Sequence, residues 1–222
     1  MFERNADNYS LRDQLALHKA TVAVCGLGGG GGYVAEILAR TGVGRLVLID
    51  GDVFEDSNRN RQIGALGSTL GRGKAEVMAE RLRDVSPWVR AEARPVFIGP
   101  ETADLLAGAD VVCDCVDGDG KRVLNELCRK LGVPYCTGGL SGECFHVAMF
   151  DDPERAADLY AGDTKGSFQA NPTALLTCSG FQAQAVVNFL LGRDRGTLNR
   201  ILYCNMLTCA LSVEEVNHAQ VS

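Results

Sequence analysis

The sequence predicts an α/β fold on a mainly parallel sheet, and three observations predict it. Short apolar runs of the kind that form strands buried on both faces recur along residues 21–137. Stretches of helical periodicity lie between them, so strand and helix alternate. The first apolar run stops at a glycine block, Gly26 and Gly28 to Gly32, and passes at once into a helical pattern. Together these describe a doubly wound, Rossmann-like sheet with an irregular C-terminal extension containing antiparallel strands.

Residues 1–20 are polar, then weakly helical around Leu11, Leu15 and Leu17. A first strand follows from about Thr21 to Gly26, and a first helix from about Gly31 to Thr41, where Gly42 suits a left-handed cap. Arg45 to Asp50 reads as a second buried strand. The connection from Gly51 to about Gly71 is rich in Asn, Arg, Asp and Gly, and loops beyond ~12–15 residues usually carry function. Lys74 to Val85 has Val77, Met78 and Leu82 at helical spacing. Val89 to Phe97 predicts a partly exposed third strand, since Arg90, Glu92 and Arg94 alternate along it. A short helix is expected over Glu101–Gly108 and a fourth strand over Ala109–Asp117. A helix from Gly120 to Leu131 precedes a fifth strand over Val133–Thr137. Gly138 to Gly142 reads as a turn, and Cys144 to Phe150 as another strand. Residues 151–172 form a loop region broken by a helical stretch from Glu154 to Leu159. Thr173 to Leu191 is a buried helix closed by Gly192, and Arg200 to Val213 predicts a strand pair.

The 222 residues suffice for one domain with a full core, and 46% hydrophobic with 23% charged residues is ordinary for a globular protein. Net charge is −6, which disfavours a general nucleic-acid binder. The first residues are polar and mixed in charge, so no leader is expected, and no apolar run approaches the ~20 residues that cross a bilayer. Nine cysteines outside a small disulfide frame point to a reducing cytoplasm. Cys25, Cys113, Cys115 and Cys136 lie in apolar surroundings and read as small core residues.

The glycine spacing Gly26-x-Gly28-Gly29-x-Gly31 makes a tight turn that lets a phosphate approach the main chain at the positive end of a helix. Asp50, nineteen residues past Gly31, stands where such a motif accepts ribose hydroxyls. These features alone suit any nucleotide, NAD included. The loop after Asp50 changes that reading, because it places Asn58, Arg59, Asn60 and Arg61 just beyond the ribose position. Lys74 stands further on, and the fourth strand delivers Asp117. Cations for phosphate oxygens with a carboxylate for Mg²⁺ suit triphosphate chemistry, not hydride transfer.

These pieces, with Arg40-Thr41-Gly42-Val43-Gly44, Ile49-Asp50-Gly51-Asp52, Ser57-Asn58-x-Asn60-Arg61-Gln62, Lys74, Asp114-Cys115-Val116-Asp117, Arg122 and Asn125, resemble the ThiF/MoeB/HesA family, bacterial relatives of ubiquitin-activating enzymes. The resemblance is strong over about residues 20–150. It implies a single adenylation domain: residues 1–20 as an N-terminal segment, 21–150 as nucleotide-binding core, and 151–222 as crossover loop, helix and terminal strands. It implies ATP and Mg²⁺ as cofactors. Gly26, Gly28, Gly29 and Gly31 would cradle the nucleotide, and Asp50 with Asp52 would lie at the ribose. Asn58, Arg61 and Lys74 would grip phosphates, Gln62 would support their loop, and Asp117 would coordinate Mg²⁺. The substrate's own carboxylate attacks the α-phosphate and expels pyrophosphate, so Arg61, Lys74 and Asp117 contribute alignment and charge neutralisation.

The same resemblance implies a homodimer, with Arg4 or Arg12 as candidates for an arginine donated to the partner's site. The chain departs from relatives with zinc-binding Cys-x-x-Cys pairs, since it has none; no zinc site is expected, and Cys178, Cys204 and Cys209 read as structural. The first substrate expected is the C-terminal glycine of a small ubiquitin-like sulfur carrier ending in Gly-Gly. An alternative is threonylcarbamoyladenosine on tRNA, because residues 39–44, 60–66 and 74–81 look similar to the zinc-lacking dehydratases of that base. A non-catalytic nucleotide-binding scaffold is the third reading. No membrane partner is expected.

Overall fold

Five parallel strands make the first part of the sheet: β1 (Thr21–Cys25), β2 (Arg45–Ile49), β3 (Arg90–Arg94), β4 (Val111–Asp114) and β5 (Tyr135–Ser141). Three more, β6 (Cys144–Phe150), β7 (Arg200–Asn205) and β8 (Ala210–Glu215), each pair antiparallel with the strand before. The order is β3-β2-β1-β4-β5-β6-β7-β8. The computed structural model describes residues 1–157, 159, 171–193 and 196–216. Part of the predicted loop region over 151–172 lies outside them.

Alternation along β1 explains the layers. Val22 and Val24 face α1 (Leu11–Lys19), α2 (Gly29–Thr41), α3 (Lys74–Val85) and α6 (Pro172–Leu190), packing with Leu17, Leu38, Met78 and Val186. Ala23 and Cys25 face α4 (Ala103–Leu106) and α5 (Asp119–Leu131), packing with Leu106, Leu124 and Cys128. Both faces of the parallel strands are thus covered, which is why they read as continuous apolar runs. Ser10 and Asp13 form a capping box that starts α1, and left-handed Gly42 and Gly132 close α2 and α5. Among the described residues no helix is long and apolar enough to cross a membrane.

Several boundaries differ from expectation. The third strand stops at Arg94 and the fourth at Asp114, so Phe97 and Asp117 lie in loops at the carboxyl edge of the sheet. The stretch expected to turn at Gly138–Gly142 instead continues β5 to Ser141 in register with β6. Gly138 and Gly139 are needed there for space: a Cβ on Gly138 would meet Gln182 Oε1 at 2.9 Å, and one on Gly139 would meet the His146 ring at 2.5 Å. The helix expected over Glu101–Gly108 shortens to a 3₁₀ turn, Pro100–Thr102, and α4. The stretch from Glu154 keeps one 3₁₀ turn, Pro153–Ala156.

His146 makes stability depend on pH. Burial, with the Lys121 ammonium adding to it, lowers its ring to about 4, although Asp114 pulls the other way. The unfolded imidazole takes its proton near ~6.5, so stability present above that pH is lost as pH falls toward 4. We expect His146→Gln to remove on the order of 2 kcal/mol of the stability lost between pH 7 and pH 4.5. Thermal melts of the two proteins at both pH values check this.

Candidate nucleotide site at the sheet's switch point

The strand order reverses between β1 and β4, which opens a crevice at their carboxyl ends. Gly26 leaves β1 with φ +83, and a Cβ there would meet the Cys115 carbonyl oxygen at 2.5 Å and the Val116 nitrogen at 2.9 Å. A Cβ on Gly31 would overlap the Gly26 carbonyl oxygen. These two glycines let strand, turn and helix approach main chain to main chain. α2 then starts at Gly29, earlier than expected, and its cap Gly28 brings no side-chain hydrogen bond. Its first-turn N–H groups therefore suit an anion.

Asp50 lies just past β2. Its Oδ2 accepts from the Leu27 N–H at 2.6 Å and its Oδ1 from the Asp52 N–H at 2.8 Å. The acid thus ties the glycine turn to β2 while each oxygen keeps acceptor capacity for a hydroxyl. Burial raises its carboxyl above the usual range, against the pull of the two amides and of Lys74. Beside it, a Cβ on Gly51 would meet the Phe97 ring at 2.8 Å. Phe97 is 67% exposed and, with Val96, Glu101, Thr102 and Leu105, lines an open cleft of about 610 Å³. The sequence places Phe97 at a strand end; the structure brings its ring over Gly51, directly after the acid.

The loop after Asp52 reaches back to the glycines. Arg61 places its Cγ 3.5 Å from where a Gly29 Cβ would be, and its Nη1 donates to Ser57 O at 3.1 Å and Asn60 Oδ1 at 2.9 Å. Gln62 is buried with its Nε2 3.4 Å from the Gly28 Cβ position, and its Oε1 has no hydrogen-bond partner among the described residues. Lys74 starts α3, is buried, and its Nζ lies 3.2 Å from Asp52 Oδ2. Asn58 is turned to its own loop: Oδ1 accepts from the Glu55 N–H at 3.1 Å, and Nδ2 donates to Ser57 Oγ at 3.4 Å. Arg59 pairs with Asp56 at 3.1 Å on the surface, away from these groups.

Past β4, the Cys115 N–H donates to Cys25 O at 2.8 Å, and Cys115–Val116 pack on Gly26. Asp117 comes next, exposed, with no hydrogen bond or ion pair among the described residues. An exposed carboxylate following the residues packed on the glycine turn is a hard oxygen donor, a chemistry that fits Mg²⁺. Asp114 differs: fully buried, it accepts from the Tyr135 hydroxyl, Thr137 Oγ1 at 2.9 Å and Lys121 Nζ at 3.1 Å. Arg122 pairs with Glu126 at 3.4 Å, and Asn125 donates to Ala156 O at 3.3 Å. Arg4 and Arg12 are exposed in the N-terminal segment. Burial pushes the Cys178 thiol up to about 12 and raises Cys25 and Cys113, so these thiols stay protonated at neutral pH.

Uncapped backbone donors, an acid at the next strand and cations on the following loop define a Rossmann-like α/β protein whose switch point suits an anion. The chain belongs to the ThiF family, whose profile matches residues 2–221. It is 40% identical over 126 residues to the tRNA threonylcarbamoyladenosine dehydratase of Escherichia coli (strain K12), covering 55% of this chain and 47% of that protein. It is 42% identical over 126 residues to the adenylyltransferase and sulfurtransferase MOCS3 of Mus musculus, covering 56% and 27%. The chain thus spans half or less of the length of these relatives. Among solved structures, E. coli tRNA N6-threonylcarbamoyladenosine dehydratase, TcdA, superposes with TM-score 0.73 at 27% identity, covering 86% of this chain and 94% of that one. E. coli MccB with ATP shares the fold, with TM-score 0.79 at 19% identity over 94% and 67%.

Proposed function

We propose that this chain adenylates a carboxylate with ATP and Mg²⁺, and that the carboxylate is that of threonylcarbamoyladenosine on tRNA. The observation that carries the substrate is the 40% identity to the E. coli dehydratase. That likeness reverses the order expected from sequence, in which a sulfur carrier came first. Backbone N–H groups at the start of α2 bind phosphate oxygens, Asp50 accepts the ribose hydroxyls, and Phe97 flanks the base. Arg61 and Lys74 neutralise charge on the phosphates as the substrate carboxylate attacks the α-phosphorus and pyrophosphate leaves. Asp117 holds the Mg²⁺, which when bound offsets charge on the phosphate oxygens. An internal nucleophile of the substrate then bonds to the adenylated acyl carbon and gives up its proton. AMP leaves with one former carboxylate oxygen, so the substrate loses the elements of water. No protein nucleophile takes part.

A second reading, activation of a small carrier ending in Gly-Gly by a homodimer, is favoured by the 42% identity to MOCS3. ATP–[³²P]pyrophosphate exchange separates the two. Stimulation by tRNA bearing threonylcarbamoyladenosine, and not by unmodified tRNA or a Gly-Gly-tailed carrier, is the expected result. Stimulation by the carrier alone would overturn the tRNA substrate and keep adenylation. Exchange with none of them would leave a nucleotide-binding scaffold.

A further inference from the structure

The first turn of α5 holds a buried lysine that takes no part in the steps above. Lys121 is 9% exposed, and its Nζ donates to Asp114 Oδ2 at 3.1 Å and Gly138 O at 2.8 Å. Thr137 Oγ1 lies 3.5 Å away. Asp114 closes β4 and also accepts from Tyr135, Thr137 and the Val116 N–H. From the other face of the sheet, Gln182 Nε2 donates to Asp114 O at 2.9 Å and to Cys136 O at 3.3 Å. The desolvation of a buried ion pair offsets its attraction, so the pair is weak evidence for a gain in stability.

Its place in the chain shows what it joins. Asp114 and Lys121 bracket residues 115–120, and Asp117 lies within that span. The segment has little stiffness of its own, since Gly118 takes φ +59 and Gly120 follows. Asp117 makes no hydrogen bond among the described residues that would hold it. The Lys121–Asp114 clasp ties both ends of the segment to one point, at the carboxyl end of β4 beside Thr137 and Gly138 of β5. We propose that Lys121 is a positioning residue that holds Asp117 in place for the Mg²⁺ bound with nucleotide. This inference rests on the assignment of Asp117 made above.

The test is a Mn²⁺ titration followed by electron paramagnetic resonance, on the whole chain with the non-reacting analogue AMPCPP. The variants are Lys121→Met, Lys121→Arg, the double variant Asp114→Asn/Lys121→Met, and Asp117→Asn. The double variant removes both charges together, so it folds even where the single one suffers from an unpaired buried carboxylate. We expect its melting temperature and metal-free AMPCPP binding to match the parent, while half-saturation by Mn²⁺ rises about tenfold or more. Lys121→Arg restores part of the affinity. Unchanged Mn²⁺ affinity in the folded double variant, with loss in Asp117→Asn, would overturn the positioning role alone. Indifference of Mn²⁺ binding to Asp117→Asn would overturn the metal role and the inference together.

Discussion

Asp117→Asn lowers pyrophosphate exchange by about two to three orders of magnitude while the chain stays folded. The fold is spared because Asp117 is exposed and makes no hydrogen bond or ion pair among the described residues. Exposed substitutions of that kind stay within about 0.5 kcal/mol. The reaction is not spared, because a neutral amide at the glycine turn replaces the anionic oxygen donor that suits Mg²⁺. Asp114→Asn gives the contrast. Its carboxylate is fully buried and partnered by Lys121, so the single change leaves an uncompensated ammonium and costs about 3–5 kcal/mol. Exchange assays and melts on both variants separate a metal-binding acid from a structural one. Normal turnover by Asp117→Asn would refute its metal role.

The same pair of acids shows what a sequence tells and what it withholds. The sequence reads one apolar run over Ala109–Asp117 that carries both acids, and in open sheets ligands bind at the strand's end, where Asp117 stands. The structure separates them by burial: Asp114 is enclosed by residues of β5 and α5, and Asp117 is exposed. The close main-chain approaches at Gly26 and Gly31 and the place of Asp50 just past β2 were legible because backbone geometry dictates their spacing. The contacts of Asn58 were not: an asparagine among arginines looks like a phosphate ligand, and the structure has its amide bracing its own 3₁₀ turn. Lys121 was invisible for a similar reason. Its partners are Asp114 of β4 and Thr137 and Gly138 of β5, and the glycines that let β5 run on read as a turn when their cross-strand neighbours are unknown. The substrate is the hardest to read from sequence, because motifs of this kind surround a nucleotide and say little of what presents the carboxylate.

Gly31→Ala should unfold or loosen the site where Gly30→Ala, one residue earlier in the same helix, should not. A methyl on Gly31 would overlap the Gly26 carbonyl oxygen and lie 2.9 Å from the Gly26 carbonyl carbon and 3.0 Å from Cys115 Cβ. The overlapped atom is backbone. It is held in turn by the Gly26 N–H on Ile49 O at 2.8 Å and by the Cys115 N–H on Cys25 O at 2.8 Å. No rotamer change relieves such a clash, so α2 must move away from the turn it caps, at about 3 kcal/mol or more. For a chain of this size that lowers the melting temperature by about 6–12 °C. AMPCPP affinity falls with it, because the first-turn N–H groups lose their place over the turn. A methyl on Gly30 would meet only Ser179 Oγ, at 3.7 Å, and exchanging glycine for alanine in a helix gains about 0.5 kcal/mol. Gly30→Ala should therefore melt at or slightly above the parent. Equal melting of the two variants would show that strand, turn and helix do not approach as closely as the glycine spacing requires.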